Sequence, residues 1–211
     1  MSMLSDFSLT KKPQDTGLSV RDWIVTNTDA PLEVCEIAAF PTPEGQVTTL
    51  DPLSFFQTAE YIATPKTTPD FVVFCDTSEG LNSKMALIYS DANVASGRDK
   101  ATCAVDAGMA SFFTPATHAA QTAYTETIAS DGNLYHNHFE AFDNVPPGGE
   151  RKIVVLPDGT PIPYVHSGWG DGGYPVFTLT DPNGALCAVY VDFMGRNEAG
   201  AWLAPPGVTL T

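Results

Sequence analysis

Most apolar residues in this chain fall in short runs bounded by Gly, Pro, Asp and Asn, the pattern of strands joined by tight turns. Glu33–Phe40 reads as a first strand, Pro41–Gly45 as a turn and Gln46–Leu50 as a second strand, so a hairpin is expected. Phe71–Cys75 and Met85–Tyr89 are compact runs rich in β-branched and aromatic residues, as buried strands are, and Thr102–Val105 is a third. Further on, Lys152–Leu156 and Thr160–His166 flank the turn Pro157–Gly159, and Val176–Thr180 and Ala185–Phe193 flank Asp181–Gly184. The last of these strands is apolar on both faces, which suits a central place in a sheet. Pro161 and Pro163 stand two apart, so both missing N–H groups fall on one side of their strand, which suits a sheet edge.

Helical spacing is scarcer. Thr114 is placed to cap a helix that takes Pro115 in its first turn and repeats Ala116, Ala119, Ala120, Ala123, Tyr124 and Ile128 along one side, so the main helix is expected near residues 115–129. Two short helices are expected near residues 18–28, anchored by Trp23, and near residues 52–61, opened by Asp51 as cap and Pro52. The expected fold class is α+β: a single domain dominated by antiparallel β-sheet hairpins, spanning residues 18–211 behind a loose N-terminal arm at residues 1–17.

Composition narrows the function classes. The 211 residues are 43% hydrophobic, enough for one sizeable core. Only 17% are charged, yet 25 acids against 10 bases leave a net charge of -15. Such a field repels phosphate backbones and anionic headgroups, so neither nucleic acid nor a membrane is expected as a partner; a basic protein is. No apolar run approaches a membrane span, and residues 1–13 lack the apolar core of a secretory signal, which points to the cytoplasm. Cys35, Cys75, Cys103 and Cys187 are widely spaced among strand-like residues and read as buried free thiols.

Three segments carry candidate chemistry. Ser167–Pro175 packs four glycines, Trp169, Asp171 and Tyr174 into a short span. It reads either as a rigid turn, with Asp171 accepting backbone N–H bonds, or as a recognition loop binding through Trp169, Asp171 and Tyr174. Asp106 ends an apolar strand and is followed closely by Gly108, so it is either a turn former or cap, or a catalytic acid or metal ligand. His136 and His138 share one face if locally extended, the spacing of a weak metal site, with Glu140 and Asp143 nearby; solvated histidines are the plainer alternative. Phosphate-loop, dinucleotide and serine-elbow signatures are absent, and no cofactor is implied.

Three blocks in this order, Gly45-Gln-Val-Thr-Thr-Leu-Asp-Pro-Leu53, Ala104-Val-Asp-Ala-Gly108 and Gly168-Trp-Gly-Asp-Gly-Gly-Tyr-Pro-Val176, followed by Val191-Asp-Phe193, resemble the bacterial domain of unknown function 4241. The resemblance spans roughly residues 45–193. It implies no activity, cofactor or catalyst, but draws attention to Asp106 and Asp171 as a pair. In the family pattern a second acid follows the middle block, and here Thr114 stands in its place. Two functions remain open. One is a non-catalytic acidic binding module, immunity-like, that masks a basic protein partner. The other is a small metal- or carboxylate-dependent hydrolase using Asp106, Asp171 and the His136/His138 pair.

Overall fold

The computed structural model describes residues 17–26, 31–53, 58–128, 152–195 and 208–209. The expected arm at residues 1–17 lies outside them except for Gly17. Helix α1 (Val20–Val25) begins at Ser19, whose hydroxyl accepts from Asp22 N, and buries Val20, Trp23 and Ile24. Helix α2 (Pro115–Ile128) is the expected main helix, with Thr117 N donating to Thr114 Oγ1 at its start. The remaining elements are strands: β1 (Leu32–Ala39), β2 (Gln46–Leu50), β3 (Ile62–Ala63), β4 (Asp70–Asp76), β5 (Leu81–Ile88), β6 (Ser96–Val105) and β7 (Met109–Phe113), then β8 (Lys152–Val155), β9 (Pro161–His166), β10 (Gly172–Thr180), β11 (Leu186–Asp192) and β12 (Val208–Thr209). The protein is thus α+β with antiparallel sheet predominant, as the apolar pattern predicts.

The strands form two sheets, β1-β4-β5-β11-β10-β6-β12 and β3-β2-β7-β9-β8. Period-two alternation explains how they stack. In β4, Phe71 and Val73 face the core between the sheets while Val72 and Phe74 face α1; in β11, Val189 and Val191 share the first core and Ala188 and Tyr190 the second. β11 is therefore apolar on both faces because both are covered, and it holds the middle place in its sheet. On the smaller sheet Ala110, Phe112 and Val165 face the shared core, and Met109, Phe113, Ile162 and Tyr164 pack beneath α2.

Two expectations fail. The strands around Pro41–Gly45 are not a hairpin: β1 pairs with β4, from Leu32 opposite Asp76 to Ala39 opposite Asp70, while β2 pairs with β3 and β7 in the other sheet. The turn itself enforces the divergence. Buried Thr42 donates its hydroxyl to the carbonyls of Pro65 and Thr67, each 2.9 Å away, and so ties the turn to another loop rather than closing a ladder. The expected helix at 52–61 is also absent where it is described, because residues 58–61 have no regular structure. Asp51 spends its carboxylate elsewhere, and the Pro52 carbonyl accepts from Gln121 Nε2 at 2.8 Å.

Pro161 and Pro163 sit in β9, which is internal to its sheet. The β7 ladder reaches only Tyr164, so the proline stretch has β8 as its single strand partner and behaves locally as an edge.

Candidate functional site

Two connections cross between the sheets at one end of the molecule: residues 106–108 carry the chain from β6 to β7, and residues 167–171 carry it from β9 to β10. Asp51, which follows β2, lies against the first of them. The register of β6 with β10 ends at Val105 opposite Gly172, so Asp106 and Asp171 emerge side by side. Asp171 Oδ1 accepts from Gly108 N at 3.0 Å. Gly108 O in turn accepts from Ser167 N at 2.9 Å. Gly108 has a φ of 66°, a left-handed conformation that side chains resist.

The glycine-rich loop is closed on itself. Gly170 O accepts from the Ser167 hydroxyl at 2.6 Å and from the Tyr174 hydroxyl at 2.8 Å. Tyr174 is buried, its ring edge-on to Phe193 with centroids 5.2 Å apart, whereas Trp169 is 49% exposed. Gly168 has no room for a side chain: a Cβ there would lie 2.4 Å from Asn82 O. Asn82 makes a further tie between the sheets, donating Nδ2 to His166 O at 2.9 Å.

Asp51, expected from the sequence to cap a helix, has a larger role. Its buried carboxylate accepts from Leu53 N at 2.8 Å, Asp106 N at 2.8 Å and Ala107 N at 2.6 Å. Burial pushes its pKa up, the three backbone donors oppose that, and the nearby Asp106 charge adds to it. Beside it, a cavity of about 10 Å³, the size of one water, is lined by Asp51, His118 and Gln121. Gln121 Oε1 is buried with no hydrogen-bond partner. His118 Nδ1 meets Tyr61 Oη at 2.9 Å, and burial holds its imidazole below the usual range.

Among the sequence candidates, Asp106, Trp169, Asp171 and Tyr174 are therefore gathered at this joint, while His136 and His138, with Glu140 and Asp143, lie outside the described residues. Among the described residues no group of three or more His, Cys, Asp or Glu is placed to hold a metal ion. Cys103 and Cys187 are buried and free, and buried Cys75 donates its thiol to Asn82 Oδ1 at 3.3 Å. Burial pushes the Cys103 thiol up to about 12, which keeps it protonated and inert as a nucleophile.

Sequence reasoning missed a charged pair altogether. Lys84 and Asp192 lie opposite one another in β5 and β11, fully buried, with Nζ and Oδ2 3.1 Å apart. It missed the clefts too. One, of about 570 Å³, runs between β2 and β6 and includes Glu60, Asp99 and Lys100. Another, of about 310 Å³, lies between the β1–β2 turn and the β8–β9 hairpin.

This is a two-sheet α+β protein whose most distinctive loops lock one sheet to the other. Residues 92–191 match the family described as "Protein of unknown function (DUF4241)", which supports the resemblance drawn from the sequence blocks. The matched stretch contains the blocks at 104–108 and 168–176 and leaves the block at 45–53 outside. No curated protein and no solved structure matches the chain. Among the described residues no helix is long and apolar enough to cross a membrane.

Proposed function

We propose that the chain is a non-catalytic acidic binding module that masks a basic protein partner. The observation that carries this reading is the distribution of charge. Lys84 and Asp192 cancel inside the sheet, so the other residues bear the whole net charge of -15. Arg21, already sparse company on such a surface, pairs with Asp70 at 3.0 Å. An excess of this kind steers a cationic protein and repels nucleic acid. Asp51 and Asp171 give oxygens to backbone N–H groups, which is architectural work. The cytoplasm suits this reading, since free thiols such as Cys103 and Cys187 persist there.

The test is capture by the immobilised full chain at about 50 mM and about 500 mM salt, beside an unrelated protein of equal negative charge. A basic protein enriched by this chain alone and released by salt is expected. Equal enrichment by the control would overturn the reading.

A second reading, a metal- or carboxylate-dependent hydrolase, is favoured by one fact: the β6–β10 register sets Asp106 beside Asp171. Neither residue lines the clefts described above. Hydrolysis of an ester or phosphoester panel that disappears in Asp106→Asn would establish it, and an unaffected background rate would remove it.

A further inference from the structure

The cleft of about 310 Å³ differs in kind from the polar cleft beside β6. Phe40, Pro41 and Pro43 form one wall and Ile153 and Pro163 the other, and Glu44 supplies the single charge in the lining. One Glu44 oxygen, Oε2, is shut off from solvent with no hydrogen-bond partner. The half-buried carboxylate also lines the cleft, where an apolar setting strengthens its attraction for a cation that enters.

The surroundings fit an arriving polypeptide. β8 is the outer strand of its sheet, and on its face beside the cleft Ile153 is 38% and Val155 57% exposed. Exposed apolar residues grouped at a cleft mark interaction surfaces more often than scattered ones do. The turn that carries Glu44 is already ordered. Thr42 N and Oγ1 both donate to Thr67 O, and Gly45 O accepts from Thr64 N at 2.8 Å. Gly45 has a φ of 69°, and a Cβ there would come within 2.9 Å of Thr64 O. Little ordering remains to be done on binding.

We propose that this cleft receives an arginine side chain, presented with flanking apolar residues by an extended segment of the basic partner. The apolar stem lies along the prolines and Ile153, and the guanidinium supplies donors to Glu44. The inference rests on the binding-module reading and names the place where that module holds its partner.

The experiment is a titration of the ¹⁵N-labelled full chain with acetyl-Leu-Arg-Leu-amide and, separately, with its citrulline counterpart, which keeps the shape and removes the charge. Shifts are expected at residues 38–44, 114–117 and 153–163. The arginine peptide should bind at least about tenfold tighter, the usual worth of a hydrogen bond to a charged group. Glu44→Gln should abolish that preference, and a well-dispersed spectrum verifies that this variant folds. Equal binding of the two peptides, or shifts confined to other surfaces, overturns the proposal. A captured basic partner that Glu44→Gln holds as tightly as the parent chain overturns the cleft assignment and leaves the binding module standing. Charge-selective binding of the peptide at the cleft, with no basic protein captured, upholds the cleft's specificity and removes the module.

Discussion

The buried pair Lys84–Asp192 allows the sharpest test of how this fold is held. Both side chains are at most 1% exposed, and Nζ to Oδ2 is 3.1 Å. Asp192 Oδ1 is committed separately, to Met194 N at 3.1 Å and Gly195 N at 2.7 Å. A Cβ on Gly195 would stand 2.3 Å from Asp192 Oδ2, so the chain closes tightly over the carboxylate. Lys84→Met leaves that oxygen charged and unpaired, a loss of about 3–5 kcal/mol. At about 2–4 °C per kcal/mol for a chain of this size, Tm falls by roughly 6–20 °C. Asp192→Asn costs a similar amount by stranding the ammonium; the Tyr190 ring, with its centroid 6.0 Å from Nζ, is a weak substitute. The double variant Lys84→Met/Asp192→Asn removes both charges and keeps an amide oxygen for Met194 and Gly195. It should lie within about 2 kcal/mol of the parent, since neutral replacements of buried ion pairs are commonly tolerated. Urea unfolding of all four proteins gives the coupling. If the two single losses add to within about 0.5 kcal/mol in the double variant, the pair is not the interaction described here.

Three further outcomes are expected. Asp51→Ala leaves the N–H groups of Leu53, Asp106 and Ala107 without their acceptor and should cost about 3 kcal/mol; hydrogen exchange should quicken at Asp106 and Ala107, while Asp171→Ala should quicken Gly108 instead. Gly168→Ala drives a Cβ into Asn82 O and should cost about 2 kcal/mol or more by urea unfolding, whereas Gly170→Ala meets open space and pays only about 1 kcal/mol for its φ of 83°. His118 has a folded pKa depressed below the usual 6.5, so the unfolded chain binds its proton first; its contribution is complete above about pH 6.5 and fades as pH falls through the folded value. Between pH 7 and about pH 5, His118→Gln should flatten the decline in Tm, and an unchanged slope would refute the assignment.

The strands were legible because burial imposes its period locally. Phe71–Cys75 shows both faces in consecutive residues, and Val176–Phe193 carries its turn between its strands. Partnership between distant strands left no such trace. The Pro41–Gly45 turn has hairpin composition, yet its geometry is decided by Thr42 bonding to carbonyls more than 20 residues away. Asp51-Pro52 has the composition of a helix start, and only the approach of residues 106–107 reveals what the carboxylate serves. Lys84 went unread because the apolar run begins one residue later, at Met85, although β5 starts at Leu81. Its partner Asp192 lies 108 residues on, inside the strand expected over Ala185–Phe193, where no neighbour in sequence shows which cation it meets. The pairing of Asp106 with Asp171 became visible only through the register of β6 and β10.

These distances bear on what the family match can say about function. The glycine-rich block and the Asp106–Gly108 block both lie within the matched residues 92–191, and both are crossings between the sheets. Gly168 is there because Asn82 O leaves no space, Gly108 because the chain turns left-handed, and Asp171 because Gly108 N needs an acceptor. Each of these residues answers a demand made by the joint. The cleft proposed to take arginine is assembled differently. Its Ile153–Pro163 wall lies inside the matched stretch, but Phe40, Pro43 and Glu44 lie outside it, on a turn that residues 64–67 hold in place. A relative can therefore keep the joint and the fold while changing that turn, and with it the residue proposed to meet a partner's charge. Among relatives with the same joint, replacing the carboxylate at the position of Glu44 should change which peptide is bound while leaving the unfolding midpoint in place.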